Sequence, residues 1–296
     1  MAKNEESVSN AVGGSPLVKI FRNIVCIFLS FLSLIPFYIL FVNSTIDTQY
    51  ITSGIKLIPG YGGFKFFDNL KSVMDVSAKT GGVNVLNAMF NSLCITVPAT
   101  ILQVYFGALT AYGVQVYDFK FKKLAWGFIY AIMMIPTQIS IVGFIKICRI
   151  TNIEGTFLPM ILPAIAAPTT VYFMKQYMEA SLSLEIVEAA RIDGTTEFGT
   201  FNRIVLPLLK PAMATQAIFG FVASWNNYYV PSIMLMTKDK LTTMPMYVAG
   251  LQANDKERDW GQIYCGLFIT VLPILVMYAF LSKYIVAGVA LGGVKE

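Results

Sequence analysis

Glu188-Ala189-Ala190-Arg191-Ile192-Asp193-Gly194, followed by Ile204-Val205-Leu206-Pro207, is a charged island between two apolar segments, each long enough to cross a bilayer. Ser183 is placed to cap a helix starting near Leu184, and Glu185 suits the positive end of that helix's dipole. Glu185, Glu188 and Arg191 recur at i, i+3 and i+6, while Ile186, Ala189, Ala190 and Asp193 are spread around the helix. Ala189 and Ala190 leave a surface poor in side chain, which would let another protein approach the backbone. Gly194 ends the helix, because glycine takes the left-handed position without steric cost. Thr195 or Thr196 then caps a second short helix that runs into Ile204 and the next apolar span. The spacing therefore predicts an elbow over residues 181–203. On these residues alone, an amphipathic connector lying on the bilayer remains an open alternative.

Outward from the elbow, composition sets the class. The chain has 296 residues, 56% of them hydrophobic and 13% charged, against about 25% charged in an ordinary soluble domain. Six charge-free runs recur: Asn23–Ile46, Thr80–Tyr117, Leu124–Ile145, Gly155–Met174, Pro211–Thr237 and Trp260–Ser282. A helix needs about 20 mostly apolar residues to cross hydrocarbon, and each run qualifies. The expectation is an all-α integral membrane protein with about six transmembrane helices, near residues 20–42, 86–114, 124–147, 157–177, 204–229 and 262–286. A polar, disordered tail is expected over residues 1–16, outer loops over 43–85 and 230–261, and a short tail over 289–296. The long apolar run near the N-terminus lacks an A-x-A cleavage site and reads as a retained first span. The one short, densely basic loop, Lys120–Lys123, favours cytoplasmic N- and C-termini, the elbow inside and both long loops outside.

The net charge of +5 and the 22 Lys and Arg form no basic stripe, so no nucleic-acid partner is implied. Cys26, Cys94, Cys148 and Cys265 show no paired C-x-x-C spacing and read as reduced packing residues rather than a metal site. With no histidine in the chain, imidazole acid–base chemistry, Ser-His-Asp triads and imidazole metal ligands have no residue to use.

Glu188-Ala189-Ala190, Gly194, Ile204, Leu206 and Pro207 together resemble the EAA signature of permease subunits in binding-protein-dependent ABC importers. Asp193 after Arg191-Ile192, Ser224-Trp225-Asn226-Asn227-Tyr228, Gly250-Leu251-Gln252, Trp260-Gly261 and Gly292-Gly293-Val294-Lys295 are similar to the carbohydrate uptake branch, in particular the second permease of maltose-type transporters. Ser183 departs from that family, which usually has proline there; both residues serve a helix start. The resemblance covers about Leu86 to the end. It implies the type I ABC importer permease fold, a second permease subunit, two cytoplasmic ATPase subunits, an extracytoplasmic sugar-binding protein, and the cytoplasmic membrane of a bacterium or archaeon. It also implies that the elbow is the coupling helix, with Glu185, Glu188, Ala189, Ala190, Asp193, Gly194, Thr195 and Thr196 at the ATPase.

No G-x-x-x-x-G-K-[ST] motif is present, so ATP and Mg are expected at the partner ATPase and no cofactor on this chain. The spans also read as lacking buried Asp, Glu, Lys or Arg, which ion-coupled carriers place in the membrane despite the cost. An ion-coupled carrier and a non-transporting scaffold remain the competing functions. Neutral polar residues in the spans, Asn91, Thr96, Gln103, Gln138, Trp225, Asn226 and Tyr228, are the candidates to touch a hydroxyl-rich solute, with interhelical hydrogen bonding as the alternative for each. Met244, Tyr247, Gly250, Leu251 and Gln252 in the second outer loop are candidates to meet the binding protein. Packing against the chain's own helices is the other reading of these methionine-rich residues.

Overall fold

A computed structural model describes residues 16–75, 82–236, 238–253 and 258–292. The N-terminal tail and the last four residues of the C-terminal tail fall outside them. Among the described residues the chain is helical, with no strand.

The first compact unit comprises Met1–Ser72 with Arg258–Phe268. Its main element, α1 (Pro16–Ser44), carries large apolar side chains on every face and leaves most of them exposed. Such a helix suits a hydrocarbon surround rather than water. At its end Val42 and Ile46 pack with Ile51 beside Tyr50, Trp260 and Tyr264. The Asn69 amide donates to the carbonyls of Ser44 and Ile46 at 2.9 and 3.2 Å, completing the C-terminal turn that has no further helix to pair with. The short helix α2 (Phe66–Met74) begins in this unit. Residues 45–69 are thus folded back on the end of α1.

The second unit, Val73–Glu257 with Ile269–Glu296, is built on α3 (Val85–Val116), which Asn84 caps by accepting from the Asn87 amide at 2.9 Å. After α3 come α4 (Lys122–Met133), α5 (Thr137–Ile150), α6 (Pro168–Ser181), the elbow helices α7 (Leu184–Ile192) and α8 (Glu197–Leu208), α9 (Lys210–Trp225), α10 (Met244–Gln252) and, from Ile269 on, the long α11 (Trp260–Gly292), whose first turns belong to the first unit. Small buried residues on α3, among them Ala88, Ser92, Ala99, Gly107, Ala108 and Ala111, let α6 and α9 pack closely along it. Gly107 is required by contact: a Cβ there would lie 2.6 Å from the Cγ2 of Thr170, itself fully buried.

Three helices, Leu17–Ser44, Val85–Val116 and Trp260–Ile285, are each long and apolar enough to cross a membrane, and α8 with α9 makes a fourth candidate bent by 80°. The other expected spans are broken, and proline explains where. Residues 124–147 split at Pro136, between α4 and α5. Residues 157–177 consist of short turns at Leu158–Ile161 and Leu162–Ile165 followed by α6, with Pro159, Pro163 and Pro168 each removing a backbone donor. The fifth span was expected from Ile204. Instead Ile204–Leu208 belongs to the elbow, and the straight helix starts at Lys210, beside Pro211.

Lys175 corrects a second expectation, that no charged group is buried in a span. It is 9% exposed within the expected fourth span. Its ammonium pairs with Glu179 one turn on and lies 4.6 Å from the ring centroid of Trp126 on α4. A carboxylate and an aromatic face together offset the cost of removing this cation from water.

Gly107→Leu tests the close helix packing. The extra bulk should push α3 from α6 and destabilise the fold by about 1–3 kcal/mol, read as a lower Tm of the detergent-purified protein; an unchanged Tm would show that Thr170 can give way.

Candidate functional site

The elbow is assembled from local chemistry. The Ser183 hydroxyl accepts from the Glu185 amide at 3.3 Å and starts α7. At the other end Gly194 adopts φ +79°. Its amide donates to the Arg191 carbonyl at 3.0 Å, and the Thr195 amide donates to that of Ala190 at 3.1 Å. This paired 5→2 and 6→1 pattern is the Schellman ending that a left-handed glycine permits. The Thr195 hydroxyl also donates to the Ala190 carbonyl at 2.6 Å, so the Thr200 hydroxyl must be the donor in the 2.7 Å contact between the two threonines. Thr196 caps α8 by accepting from the Gly199 amide at 3.1 Å.

A charged clasp closes the turn from outside. Arg191 Nε donates to Glu197 Oε1 at 2.7 Å, its second nitrogen donates to Oε2 at 3.3 Å, and the Tyr117 hydroxyl donates to Oε2 at 2.5 Å. The guanidinium also lies 5.5 Å from the Tyr117 ring centroid. Tyr117 directly follows α3, so the clasp fastens the elbow to the end of the central helix. Arg191, and then Tyr117, hold the Glu197 carboxyl below its usual pKa. Burial and the adjacent carboxylate push the Tyr117 phenol up to about 12, so it stays a donor.

The two faces of α7 divide the expected contact residues. Glu185, Glu188, Ala189, Asp193, Gly194 and Thr196 are exposed and Thr195 half-buried. Ala190 is not available for docking: it is 3% exposed and shares the inner face with Val187. Of the two alanines only Ala189 is therefore open to another protein, and Ile192, 87% exposed, and Phe198 are exposed apolar residues of the same elbow. Beyond the turn, Gly194, Thr195, Thr196, Phe198, Gly199, Asn202 and Arg203 line a hollow of ≈ 580 Å³.

The polar residues expected along a solute path are mostly engaged within the protein. The Asn91 amide donates to the carbonyls of Lys240 and Thr242, both at 2.9 Å, and so ties residues 240–242 to α3. Gln103 donates to Thr170 at 2.8 Å, and Thr170 in turn to Gln216 at 3.1 Å, a relay joining α3, α6 and α9. Trp225 is buried, stacked on Phe221 with its indole N–H on the Thr270 carbonyl at 3.1 Å. Thr96 accepts from Ser224 at 3.3 Å beside a cavity of ≈ 20 Å³, room for about one water and no sugar. For Gln103, Thr96 and Trp225 the interhelical alternative describes these contacts, whereas Asn91 holds the carbonyls of residues 240 and 242. Asn226 and Tyr228 are exposed at the far end of α9; Gln138 is in α5, its side chain outside the described residues. The neighbouring Asn227, unsuspected from sequence, lines a ≈ 400 Å³ cavity with Ser140 and Phe144.

The candidates within residues 244–252 need the same correction. Met244 is fully buried, with its amide on Ser92 Oγ at 2.8 Å, and Tyr247 donates to the Val73 carbonyl at 2.7 Å. Leu251 is buried as well; Gly250 is half-buried and Gln252 exposed. α10 is packed by its apolar side chains, which leaves Gln252 alone of the five fully at the surface. Glu197, Tyr117, Thr170 and Gln216 were missed because their partners lie across a turn or on another helix, where no sequence period connects them.

Comparisons with known proteins identify the family and the fold. Residues 103–289 match the family described as binding-protein-dependent transport system inner membrane component. The chain is 29% identical to the arabinooligosaccharides transport system permease protein AraQ of Bacillus subtilis, over 95% of this chain and 98% of the relative. It is 35% identical to AraQ of Halalkalibacterium halodurans, over 69% and 72%. Its fold matches a chain from the crystal structure of a bacterial ABC transporter involved in the import of the acidic polysaccharide alginate, with a TM-score of 0.72 and 18% identity, over 92% of this chain and 98% of that one.

Ala190→Arg should destabilise the protein by about 1–3 kcal/mol through overpacking, whereas Ala189→Arg should stay within about 0.5 kcal/mol; thermal unfolding in detergent distinguishes them, and equal effects would contradict the assigned faces. The clasp also has a pH signature. A depressed carboxylate stabilises above its unfolded pKa and loses that contribution as pH falls through the folded value. Elbow amides should be better protected from hydrogen exchange in the wild type than in Glu197→Gln at neutral pH. Compared at matched pH, the difference should begin to shrink as pH falls below the ordinary glutamate value of ~4.3 and vanish only below the depressed folded value; a gap that stays constant throughout acidification would refute the clasp.

Proposed function

The chain belongs to the family of inner membrane components of binding-protein-dependent transport systems, and we propose that it imports a sugar or oligosaccharide as one of two paired permeases. Membership makes it an ABC importer permease of the cytoplasmic membrane that works with a binding protein and ATPase subunits. A carbohydrate solute is supported by the two arabinooligosaccharide relatives and by the alginate importer that shares the fold.

The observation that carries the mechanism is the clasped elbow with one exposed face. In this reading six spans cross the membrane, with the termini and elbow cytoplasmic and the loops 43–85 and 230–261 outside. Two ATPase subunits bind ATP and Mg, and this chain holds neither. One ATPase receives α7 through Glu185, Glu188 and Ala189, with Asp193, Gly194, Thr195 and Thr196 forming the turn. When the ATPases close on ATP, α7 is displaced. The stiff turn and the clasp at Tyr117 pass that displacement to α8, α9 and α3, turning the path outward to accept solute. Asn226 and Tyr228, whose side chains are exposed, are the remaining described candidates to meet the sugar by hydrogen bonding and ring contact. Gln252 is the outer-loop residue best placed to meet the binding protein.

Ala189→Arg in the complete reconstituted transporter should abolish or reduce ATP-driven sugar uptake by at least about tenfold, the effect of losing roughly 1.4 kcal/mol of coupling contact, while the variant still inserts and folds. Full uptake would remove the elbow from the coupling path, and uptake by this chain alone under an ion gradient without ATP would establish the competing carrier.

A further inference from the structure

Between α3, α9 and α11 the second unit holds a groove of ≈ 440 Å³. Ile101 and Val104 of α3, Met213 and Ala217 of α9, and Met277 and Leu281 of α11 form its walls. These positions lie at helical spacings on each element, so three apolar stripes converge. Small side chains at Ala214 and Ala217 give the groove its depth, and Ile101 at its edge is 62% exposed. The walls offer no row of amides or hydroxyls such as a sugar would need.

Apart from the buried Thr100 hydroxyl, polarity is confined to three lining residues, Lys210, Tyr105 and Tyr284. Lys210 opens α9 directly after the elbow, and the Tyr105 hydroxyl donates to Asn202 of α8 at 3.1 Å, which puts these groups at the elbow end. The Lys283 ammonium lies 5.1 Å from the Tyr284 ring centroid, bringing a second cation beside the groove. No carboxylate lines it.

We infer that this groove binds an anionic phospholipid of the cytoplasmic leaflet, with an acyl chain between α3, α9 and α11 and the phosphate on Lys210. The leaflet rests on the topology proposed above. An apolar helix from another subunit would bury the lysine ammonium without a counter-charge, which is costly in hydrocarbon. A phosphate meets that charge, and the inner leaflet concentrates anionic headgroups next to basic side chains. The lipid would touch α9 just beyond the 80° bend, so it would act on the helix that the elbow moves.

The test uses the complete transporter in nanodiscs containing phosphatidylglycerol or phosphatidylcholine with the same photoactivatable acyl chain, and adducts mapped by mass spectrometry. Phosphatidylglycerol should label residues 101–105 and 277–284 roughly fivefold more than phosphatidylcholine, the factor expected for one lysine–anion contact. Lys210→Gln should bring the two to the same level, and Ala217→Phe, which fills the groove, should reduce labelling by both. Equal labelling by the two lipids in the wild type, or a partner permease cross-linked in place of lipid, would overturn the proposal. Separately, reaction of Lys210→Cys with an impermeant maleimide from outside sealed right-side-out vesicles, above that of the parent chain, would overturn the leaflet assignment and the topology with it, whatever the lipid adducts show.

Discussion

A helix end that is to pass on a push must not unwind, and in the proposed lever that requirement falls on the carbonyls of Ala190 and Arg191. The last turn of any helix leaves carbonyls without partners. Here the Gly194 and Thr195 amides satisfy them, and the Thr195 hydroxyl adds a third bond at Ala190. The Arg191–Glu197 pair then fixes the angle between α7 and α8, and Tyr117 anchors the pair to α3. An exposed ion pair contributes little to global stability. Its consequence is geometric: it leaves the elbow one shape, so a displacement of α7 becomes a displacement of α8 and the helices packed on it.

In the proposed lever a continuous apolar cluster would receive that displacement. Val187 on α7, Phe201 and Val205 on α8, and Leu209 at the bend are buried with Val104, Ala108 and Tyr112 of α3 and Met174 and Met178 of α6. Interiors packed in this way transmit displacement rather than absorb it. The Gln103–Thr170–Gln216 relay joins α3, α6 and α9 farther along. In the absence of a hydrophobic drive between helices in lipid, small-residue packing and such neutral hydrogen bonds are what hold them together. The polar residues of the spans thus serve helix association first, and Asn226 and Tyr228 stand apart because their side chains are left exposed.

The elbow was legible because its signals are local: a serine cap, a short amphipathic helix, a glycine stop and a threonine cap fall within one continuous stretch. The membrane class was legible from charge-free length. Which alanine faces outward was not, because Ala189 and Ala190 are adjacent and only the packing of Val187 and Phe201 decides between them. The breaks at Pro136 and in the fourth segment, and the bend before Lys210, were hidden for a related reason. A hydropathy run records apolar length, whereas proline acts on the backbone donors within it. The methionines of α10 misled because a flexible apolar side chain fills a core and a contact surface equally well, and Lys175 because its compensating partners, Glu179 and Trp126, lie outside the charge-free run that defined the span.

The most direct test of the lever is a distance. Spin labels at Ile192 on the exposed end of α7 and at Phe219 on the exposed side of α9, both away from the packed faces, would report the elbow against the span by pulsed electron resonance in the assembled transporter. A transmitted stroke predicts that this distance stays constant between the nucleotide-free and ATP-bound states, while the distance from Ile192 to its counterpart in the second permease changes. An elbow that flexes on its own, changing the Ile192–Phe219 distance while the two permeases stay fixed, would contradict the lever.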